Sequence, residues 1–206
     1  MLDENNECAR CHDLSSAPPG YTLFCTAPLA TWSPCKSYRY TLRRQLRLTL
    51  APRVVAFLML NPSTADEHDD DPTIRRCVDF AQSWGFCELM IVNVYAWRST
   101  DPKMLPQVGV TARKIERAMR VRAPPDPVGT DNDVAILAAC ERAEMVVCAW
   151  GKNAKQGRIA QLRQLLAGQA SKLHALKLNN DGSPAHPLYL NGSLRPQPFG
   201  LPEDKS

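Results

Sequence analysis

A chain of 206 residues with 44% apolar side chains is long enough for one well-buried core and short for two independent domains. Its net charge of +4 is too small to indicate a nucleic-acid partner by itself. No segment approaches the roughly 18 apolar residues of a membrane span, and the first ten residues lack the features of a secretion signal. We therefore expect a cytoplasmic, monomeric protein without a membrane partner.

Residues 1–36 are predicted to form an N-terminal extension that contains cysteines. Without a secretion signal, we expect thiols or metal ligands rather than disulfides. The spacing of Cys8 and Cys11 suits a zinc site completed by Cys25 and Cys35, with His12 as a substitute ligand. Free thiols on a loose segment are the alternative. The remaining cysteines lie in apolar periodic segments and are predicted to be small core residues: Cys77, Cys87, Cys140 and Cys148.

Residues 37–206 are predicted to form one α/β domain. The imperfect alternation from Tyr38 to Leu46 indicates an added antiparallel edge strand or hairpin. Apolar runs then predict buried strands at 54–60, 89–94, 145–150 and 173–178. Between them, helical spacing predicts helices from Asp71-Pro72 to Gly85, from about 131 to 142, and from 159 to 166. This alternation predicts a three-layer α/β/α fold with a central four-stranded parallel sheet.

The segment 107–123 is predicted to be a basic insertion. It carries a single acidic residue, Glu116. A solvated helix or loop and a contact to a phosphate backbone are both compatible with this composition. The basic residues are Arg113, Lys114, Arg117, Arg120 and Arg122.

Polar loops follow all four predicted strands. They begin at Asn61, Asn93, Gly151 and Asn180. Because ligands of open parallel sheets bind outside the carboxyl ends of the strands, we expect these loops to form the walls of one site.

Five motifs along the chain resemble a known family. They are MLNPSTAD, DDPTIRRC, NVYAWRSTDP, DPVGTDND and DGSPAHPLYL. In this order they resemble the bacterial and phage domain-of-unknown-function family 1643, over nearly everything from about residue 35.

A more distant resemblance is to the uracil-DNA glycosylase superfamily. There the first strand ends in Gly-x-(Asp/Asn)-Pro, which is similar to Met59-Leu60-Asn61-Pro62, and the second ends in an Asn that recognises the base, as Asn93 would. The third carries Trp-Gly-x-x-Ala, similar to 150–154, and the last motif opens with His-Pro, like His186-Pro187. Met59 in place of Gly, and Leu188-Tyr189 in place of Ser-Pro, depart from that pattern.

The resemblance implies a uracil-DNA-glycosylase-like fold and cleavage of an N-glycosidic bond. Asn61 would position water, His186 would stabilise the leaving base, and Asn93 would recognise the base beside Tyr95 and Trp97. The implied partner is nucleic acid, DNA rather than RNA, or a modified nucleotide. Predicted phosphate contacts are Ser63, Thr64, Arg75, Arg76, Arg98, Gly151, Lys152 and Asn153.

We expect no required cofactor. Iron–sulfur members of the superfamily carry a cysteine soon after the second-strand Asn, whereas residues 94–97 hold no thiol. No iron–sulfur cluster is therefore expected, and a structural zinc at the N-terminus is the one metal that we consider there.

Other interpretations of the same residues stay open. Asn61 can cap a turn, Asn93 can satisfy neighbouring backbone, and His186 can be an ordinary loop residue. The acidic run from Asp66 to Asp71 offers oxygen ligands for a divalent cation, which predicts a metal-dependent nucleotide or phosphoester hydrolase. A non-catalytic nucleic-acid-binding protein is the third possibility.

Overall fold

The computed structural model of the protein describes residues 29–47, 52–100 and 126–201. The strands are β1 (Ala30–Trp32), β2 (Arg39–Gln45), β3 (Val54–Met59), β4 (Glu88–Asn93), β5 (Met145–Cys148), β6 (Leu173–Ala175) and β7 (Gln197–Pro198). The α-helices are α1 (Pro72–Ser83), α2 (Asn132–Arg142) and α3 (Gln156–Leu165). No helix in these ranges has the length and apolar character required to cross a membrane.

The strands form one mixed seven-stranded sheet in the order β1-β2-β4-β3-β5-β6-β7. The middle strands β4, β3, β5 and β6 run parallel, as the sequence predicted. Antiparallel strands extend the sheet at both sides. The predicted hairpin before the parallel strands is present, but β2 is not an edge strand, because β1 pairs with its outer side.

Two predicted strands end earlier than expected. Ala149 and Trp150 are buried, but they follow the last paired residue of β5, and the chain turns at Gly151 with a φ of +73°. Leu176 is likewise buried just beyond β6. Apolar character marks burial rather than strand pairing, so the apolar runs overestimated both strands.

Helix α1 begins and ends where the sequence predicted. The Asp71 side chain accepts a hydrogen bond from the Ile74 amide at 2.9 Å, and Pro72 occupies the first helical position, where it forfeits no intrahelical hydrogen bond. Gly85 follows the helix with a φ of +79°, a conformation that favours glycine.

Helices cover both faces of the sheet. On one face, Val54, Ala56 and Leu58 of β3 pack in a core with residues of α2 and α3. On the other face, Val55 and Phe57 pack in a core with residues of α1. Cys77, Cys87, Cys140 and Cys148 are all buried, which confirms their predicted place in the interior.

An ion triad centred on the buried Glu88 lies at the amino end of β4, and its Arg142 side chain is 36% exposed. The Arg43 Nε donates to Glu88 Oε1 at 2.8 Å, and an Arg142 guanidinium nitrogen lies 2.6 Å from Glu88 Oε2. Glu88 is only 3% exposed. The triad joins β2, β4 and the end of α2, so it ties the antiparallel part of the sheet to a helix.

We expect Glu88→Gln to destabilise the fold strongly, because it removes the charge that two arginines share. Breaking a buried ion pair costs about 3–5 kcal/mol. Glu144→Gln is the matched control: Glu144 pairs with Arg53 at 3.0 Å where the side chains are 49% and 52% exposed, and an exposed pair contributes at most about 1 kcal/mol. Urea denaturation measures both changes, and equal losses would contradict the prediction.

Candidate functional site

Loops from all four parallel strands meet at one edge of the sheet. The loops after β3 and β4 are joined because the Ser99 amide donates to the Pro62 carbonyl at 2.9 Å. The loops after β5 and β6 are joined because the Gly151 amide donates to the Pro184 carbonyl, also at 2.9 Å. The edge therefore carries two linked pairs of loops, one from the neighbouring strands β4 and β3 and the other from the neighbouring strands β5 and β6.

Asn61 stands just beyond β3 and fastens the first pair of loops. Its Nδ2 donates to the carbonyl of Ser99 at 2.7 Å and to that of Pro62 at 3.0 Å. Both contacts use the amide nitrogen, which agrees with the turn-stabilising interpretation; the catalytic role stays a prediction.

Asn93 is the last residue of β4 and is 1% exposed. Neither its Oδ1 nor its Nδ2 finds a hydrogen-bond partner among the residues that the structure describes. The interpretation that Asn93 satisfies neighbouring backbone therefore finds no support within the described ranges. Leaving a buried polar group unsatisfied costs about 1–3 kcal/mol, so this amide is a candidate for contact with a ligand.

Asn132 fixes the backbone on which Asn93 stands, and sequence analysis gave it no role. Its Nδ2 donates to the carbonyls of Asn93 at 2.9 Å and of Val94 at 3.3 Å. Arg158, which is 6% exposed, adds a bond from its Nε to the Val94 carbonyl at 3.1 Å and forms an ion pair with Asp133. The motif DND at 131–133 was the available signal, because an amide at a helix start often bonds to nearby backbone.

His186 lies at the same edge as Asn61. It precedes a 3-10 helix (Pro187–Tyr189), and its Nδ1 accepts a hydrogen bond from the Leu188 amide at 3.4 Å. The ring retains exposed surface. Desolvation by the surrounding protein lowers the pKa of His186, while the Asp71 carboxylate acts in the opposite direction. A neutral ring whose Nδ1 accepts carries its proton on Nε2.

Gly151 brings the loop after β5 against His186. A Cβ added to Gly151 would lie 4.0 Å from the His186 Cβ, and its φ of +73° favours glycine. Next to it, Lys152 and Asn153 are exposed. The charge of Lys152 contributes to the lowered pKa of Asp181, after the hydrogen bonds from Ser183. The exposed groups at 152–153 are thus near the loop after β6.

The arginines predicted to contact phosphate are engaged within the protein. Arg98 donates to the carbonyls of Ser63 and Thr64, both at 2.8 Å, and its guanidinium lies 5.2 Å from the Trp32 ring centroid. Arg75 donates to the Asp70 carbonyl. Arg76 donates to the carbonyl of Leu190.

The aromatic residues predicted to contact the base are tied to neighbouring elements. Tyr95 is buried, and its hydroxyl accepts a hydrogen bond from the Lys155 amide at 3.1 Å, before α3 begins. Trp97 packs edge-on against Tyr38 with ring centroids 5.4 Å apart. A more accessible aromatic, Tyr189, is 92% exposed three residues after His186, and sequence analysis gave it no role in binding.

The acidic run 66–71 is organised by its own contacts. Asp66 Oδ1 accepts hydrogen bonds from the amides of His68 and Asp69, both at 2.9 Å, and these lower the Asp66 pKa. Asp70 pairs with Arg44 at 2.7 Å, and Asp71 caps α1. Within the described ranges, no group of three or more His, Cys, Asp and Glu side chains is arranged to hold a metal ion.

Beneath this run lies Arg39, the largest fully buried side chain in the described part of the chain. It donates from Nη1 to the Ala65 carbonyl at 2.6 Å. Desolvation lowers its pKa to about 10, which leaves it charged at neutral pH, while Asp71 and Glu67 act in the opposite direction. Arg39 therefore supports the loop after β3 from below.

Most of the predicted zinc site lies outside the described residues, as does the basic insertion 107–123. Cys8, Cys11 and Cys25 belong to the undescribed part. Cys35 is described and exposed. A hydrogen bond from Ser33, with a 3.2 Å separation between Oγ and Sγ, and further bonds from Ser37 lower its pKa to about 7.

Cys35 should therefore react readily with iodoacetamide, because half of it is thiolate near pH 7. We expect the alkylation rate of Cys35 to rise with pH and to reach half of its maximum near pH 7. Mass spectrometry of the peptide that contains Cys35 measures this rate. In Ser33→Ala the pH of half-maximal alkylation should rise, because the hydrogen bond that lowers the Cys35 pKa is lost. Burial raises the pKa of Cys77, Cys140 and Cys148, so these residues should stay unmodified in the folded protein. A pH-independent rate for Cys35 would contradict the prediction.

Asn132→Ala should lower the free energy of unfolding by about 1–3 kcal/mol, because two strand-end carbonyls lose a buried donor. Chemical denaturation measures the change. Asn153→Ala is the control, because that residue is exposed and surface substitutions usually stay within about 0.5 kcal/mol. A loss no larger in Asn132→Ala than in the control would contradict the assigned role.

Comparison with known proteins places the chain in a family. The family model described as "Protein of unknown function (DUF1643)" matches residues 39–188, which include all four parallel strands and the loops at their carboxyl ends. The chain belongs to this family. No curated protein and no solved structure matches it significantly.

Proposed function

We propose that this DUF1643 protein is a DNA glycosylase-like enzyme that hydrolyses the N-glycosidic bond of a modified or deaminated base. The observation that carries the proposal is the buried amide of Asn93, which has no partner among the described residues and stands at the carboxyl edge of the sheet. A uracil-DNA-glycosylase-like arrangement of the three layers is part of this proposal.

Asn93 is the residue that recognises the base. Its amide presents one acceptor and a donor group, which match neighbouring donor and acceptor groups on a pyrimidine edge. A base that enters this position satisfies both and relieves the cost of the unpartnered amide. A base with a different pattern leaves one of them buried without a partner, which gives discrimination.

His186 stabilises the departing base. Cleavage moves the electron pair of the glycosidic bond onto the base, so negative charge develops on its oxygen. The lowered pKa favours the neutral ring, and the bond from the Leu188 amide to Nδ1 leaves the Nε2 proton for donation to that oxygen. A preorganised donor at such a position strengthens in the transition state.

Asn61 positions the attacking water through Oδ1, since its Nδ2 is engaged with Ser99 and Pro62. The water oxygen forms a bond to the sugar C1′ as the bond from C1′ to the base nitrogen breaks. The water proton passes to solvent. These steps require no cofactor.

Nucleic acid reaches the site across the exposed edge formed by the loops after β5 and β6. Lys152 and Asn153 offer contacts to phosphate, and the exposed ring of Tyr189 offers a surface for base stacking beside His186. We propose DNA as the substrate in preference to RNA, with a modified nucleotide as the alternative form.

His186→Ala and Asn61→Ala should each slow excision on the order of a hundredfold with DNA binding nearly intact, since loss of one preorganised hydrogen-bonding group, the His186 donor or the Asn61 acceptor, typically costs about that much. Asn93→Asp should change which base is excised, because it replaces an amide donor with an acceptor. Single-turnover assays on oligonucleotides with different modified bases, followed by alkali to cleave abasic sites, measure these effects. His68→Ala is the histidine control, because His68 is exposed in the acidic run.

The same assays with a chelator separate the metal-dependent hydrolase from the glycosylase. The glycosylase should retain its rate. Loss of activity with chelator, recovery with magnesium or manganese, and greater damage from substitutions at Asp66 and Asp69 than at Asn61 and His186 would overturn the proposal.

A further inference from the structure

The segment that follows His186 is fastened to α1. The Arg76 guanidinium of α1 donates to the Leu190 carbonyl and lies 4.8 Å from the ring centroid of Phe80, one helical turn further along. A Cβ added to Gly192 would lie 3.3 Å from Arg76 Nη1 and 3.5 Å from Nη2. We call this group, formed by Arg76, Phe80, Leu190 and Gly192, the Arg76 clamp.

A second contact extends the attachment along the helix. Arg195 Nη1 donates to the Ser83 carbonyl at the end of α1, at 3.1 Å. Between the two arginine contacts, Leu190 and Leu194 pack against the apolar core on the α1 face of the sheet. The chain after His186 therefore runs along α1 and is attached to it at both ends of this stretch.

The Arg76 clamp is connected to His186 through the short helix that lies between His186 and Leu190. The 3-10 helix at 187–189 begins directly after His186 and packs on α1. The Leu190 amide closes it by donating to the Pro187 carbonyl at 3.1 Å. Leu190 thus uses its amide within the short helix and its carbonyl in the clamp. From α1, the carboxylate of the capping residue Asp71 acts on the His186 ring and opposes the desolvation that lowers its pKa.

We propose that Arg76 is a positioning residue: its clamp holds the His186 ring beside the amino end of α1 in the orientation that the leaving base requires. The catalytic consequence rests on the proposed function, whereas the attachment of the segment does not. A guanidinium suits this role better than an ammonium, because it stacks on Phe80 while it donates to a carbonyl.

The test compares Arg76→Met and Arg76→Lys with Arg53→Met in the full chain. Arg53 is the matched control, because it lies 4.7 Å from the Phe86 ring centroid but precedes the amino end of β3, away from the site. The readouts are hydrogen exchange of residues 187–195, NMR titration of the His186 ring, and single-turnover excision with DNA affinity.

We expect Arg76→Met to speed exchange in that segment and to raise the His186 pKa, because the ring loses part of its desolvating surroundings. Excision should fall by on the order of tenfold to a hundredfold, as for a misplaced catalytic group, with DNA affinity unchanged. The exchange rate, His186 pKa and excision rate of Arg76→Lys should lie between those of Arg76→Met and the wild type. Those of Arg53→Met should match the wild type.

The proposal would be overturned if, in Arg76→Met, both the hydrogen exchange of residues 187–195 and the titration of His186 matched the wild type. Faster exchange with an unchanged His186 titration would also overturn it, because Arg76 would then be merely structural. If the wild-type protein excises no base, the proposed function fails, and exchange and titration still decide whether Arg76 positions His186. If Arg76→Met does not fold, Gly192→Val provides the second test, because its side chain displaces the guanidinium.

Discussion

The parallel pairing of β3 on both of its sides is the constraint on which the rest of the structure depends. All six residues of β3 are buried, and the strand pairs with β4 on one side and β5 on the other. Because both faces and both edges are occupied, the strand has one register and one direction. The chain leaves it at Leu60 and Asn61, so the position of Asn61 at the centre of the carboxyl edge follows from the sheet. The loops on either side are then held by short backbone hydrogen bonds to this strand and its extension.

The polar groups at this edge divide into those with partners and those without. Asn132 and Arg158 satisfy the carbonyls at the end of β4, which fixes the backbone under Asn93. The Asn93 amide itself has no partner in the described part of the chain. A stable fold tolerates such a group where its backbone is rigid and the surrounding apolar core supplies the stability that the group forfeits. Asn132 and Asn93, joined by one hydrogen bond, differ in degree: the Asn132 Nδ2 binds two backbone carbonyls while its Oδ1 has no partner in the described part of the chain, and both polar side-chain atoms of Asn93 lack one.

The sequence predicted the elements whose formation depends on local pattern. Four buried strands follow from apolar runs, and α1 follows from Asp71, Pro72 and Gly85. The two-residue strand β7 was not predicted, because its exposed residues show no alternation, and strands β5 and β6 were predicted too long, because burial continues after pairing ends. In the site, the sequence placed Asn61, Asn93 and His186 at one edge of the sheet. It did not reveal that Arg76 donates to the Leu190 carbonyl, because that partner lies 114 residues away in the chain.

The use of charge at this edge bears on the kind of ligand that it accepts. Arg39, Arg98 and Arg76 donate to backbone carbonyls of the loops, so these guanidinium groups hold the site together. The groups that the proposed glycosylase uses to bind the base are two amides and an imidazole whose pKa is lowered by desolvation. Such groups bind an uncharged planar edge by hydrogen bonds more readily than they bind a phosphate, which favours cationic donors. In the proposed function, phosphate contacts therefore belong to the exposed Lys152, so recognition of the base and attachment of the DNA backbone use different parts of the same edge.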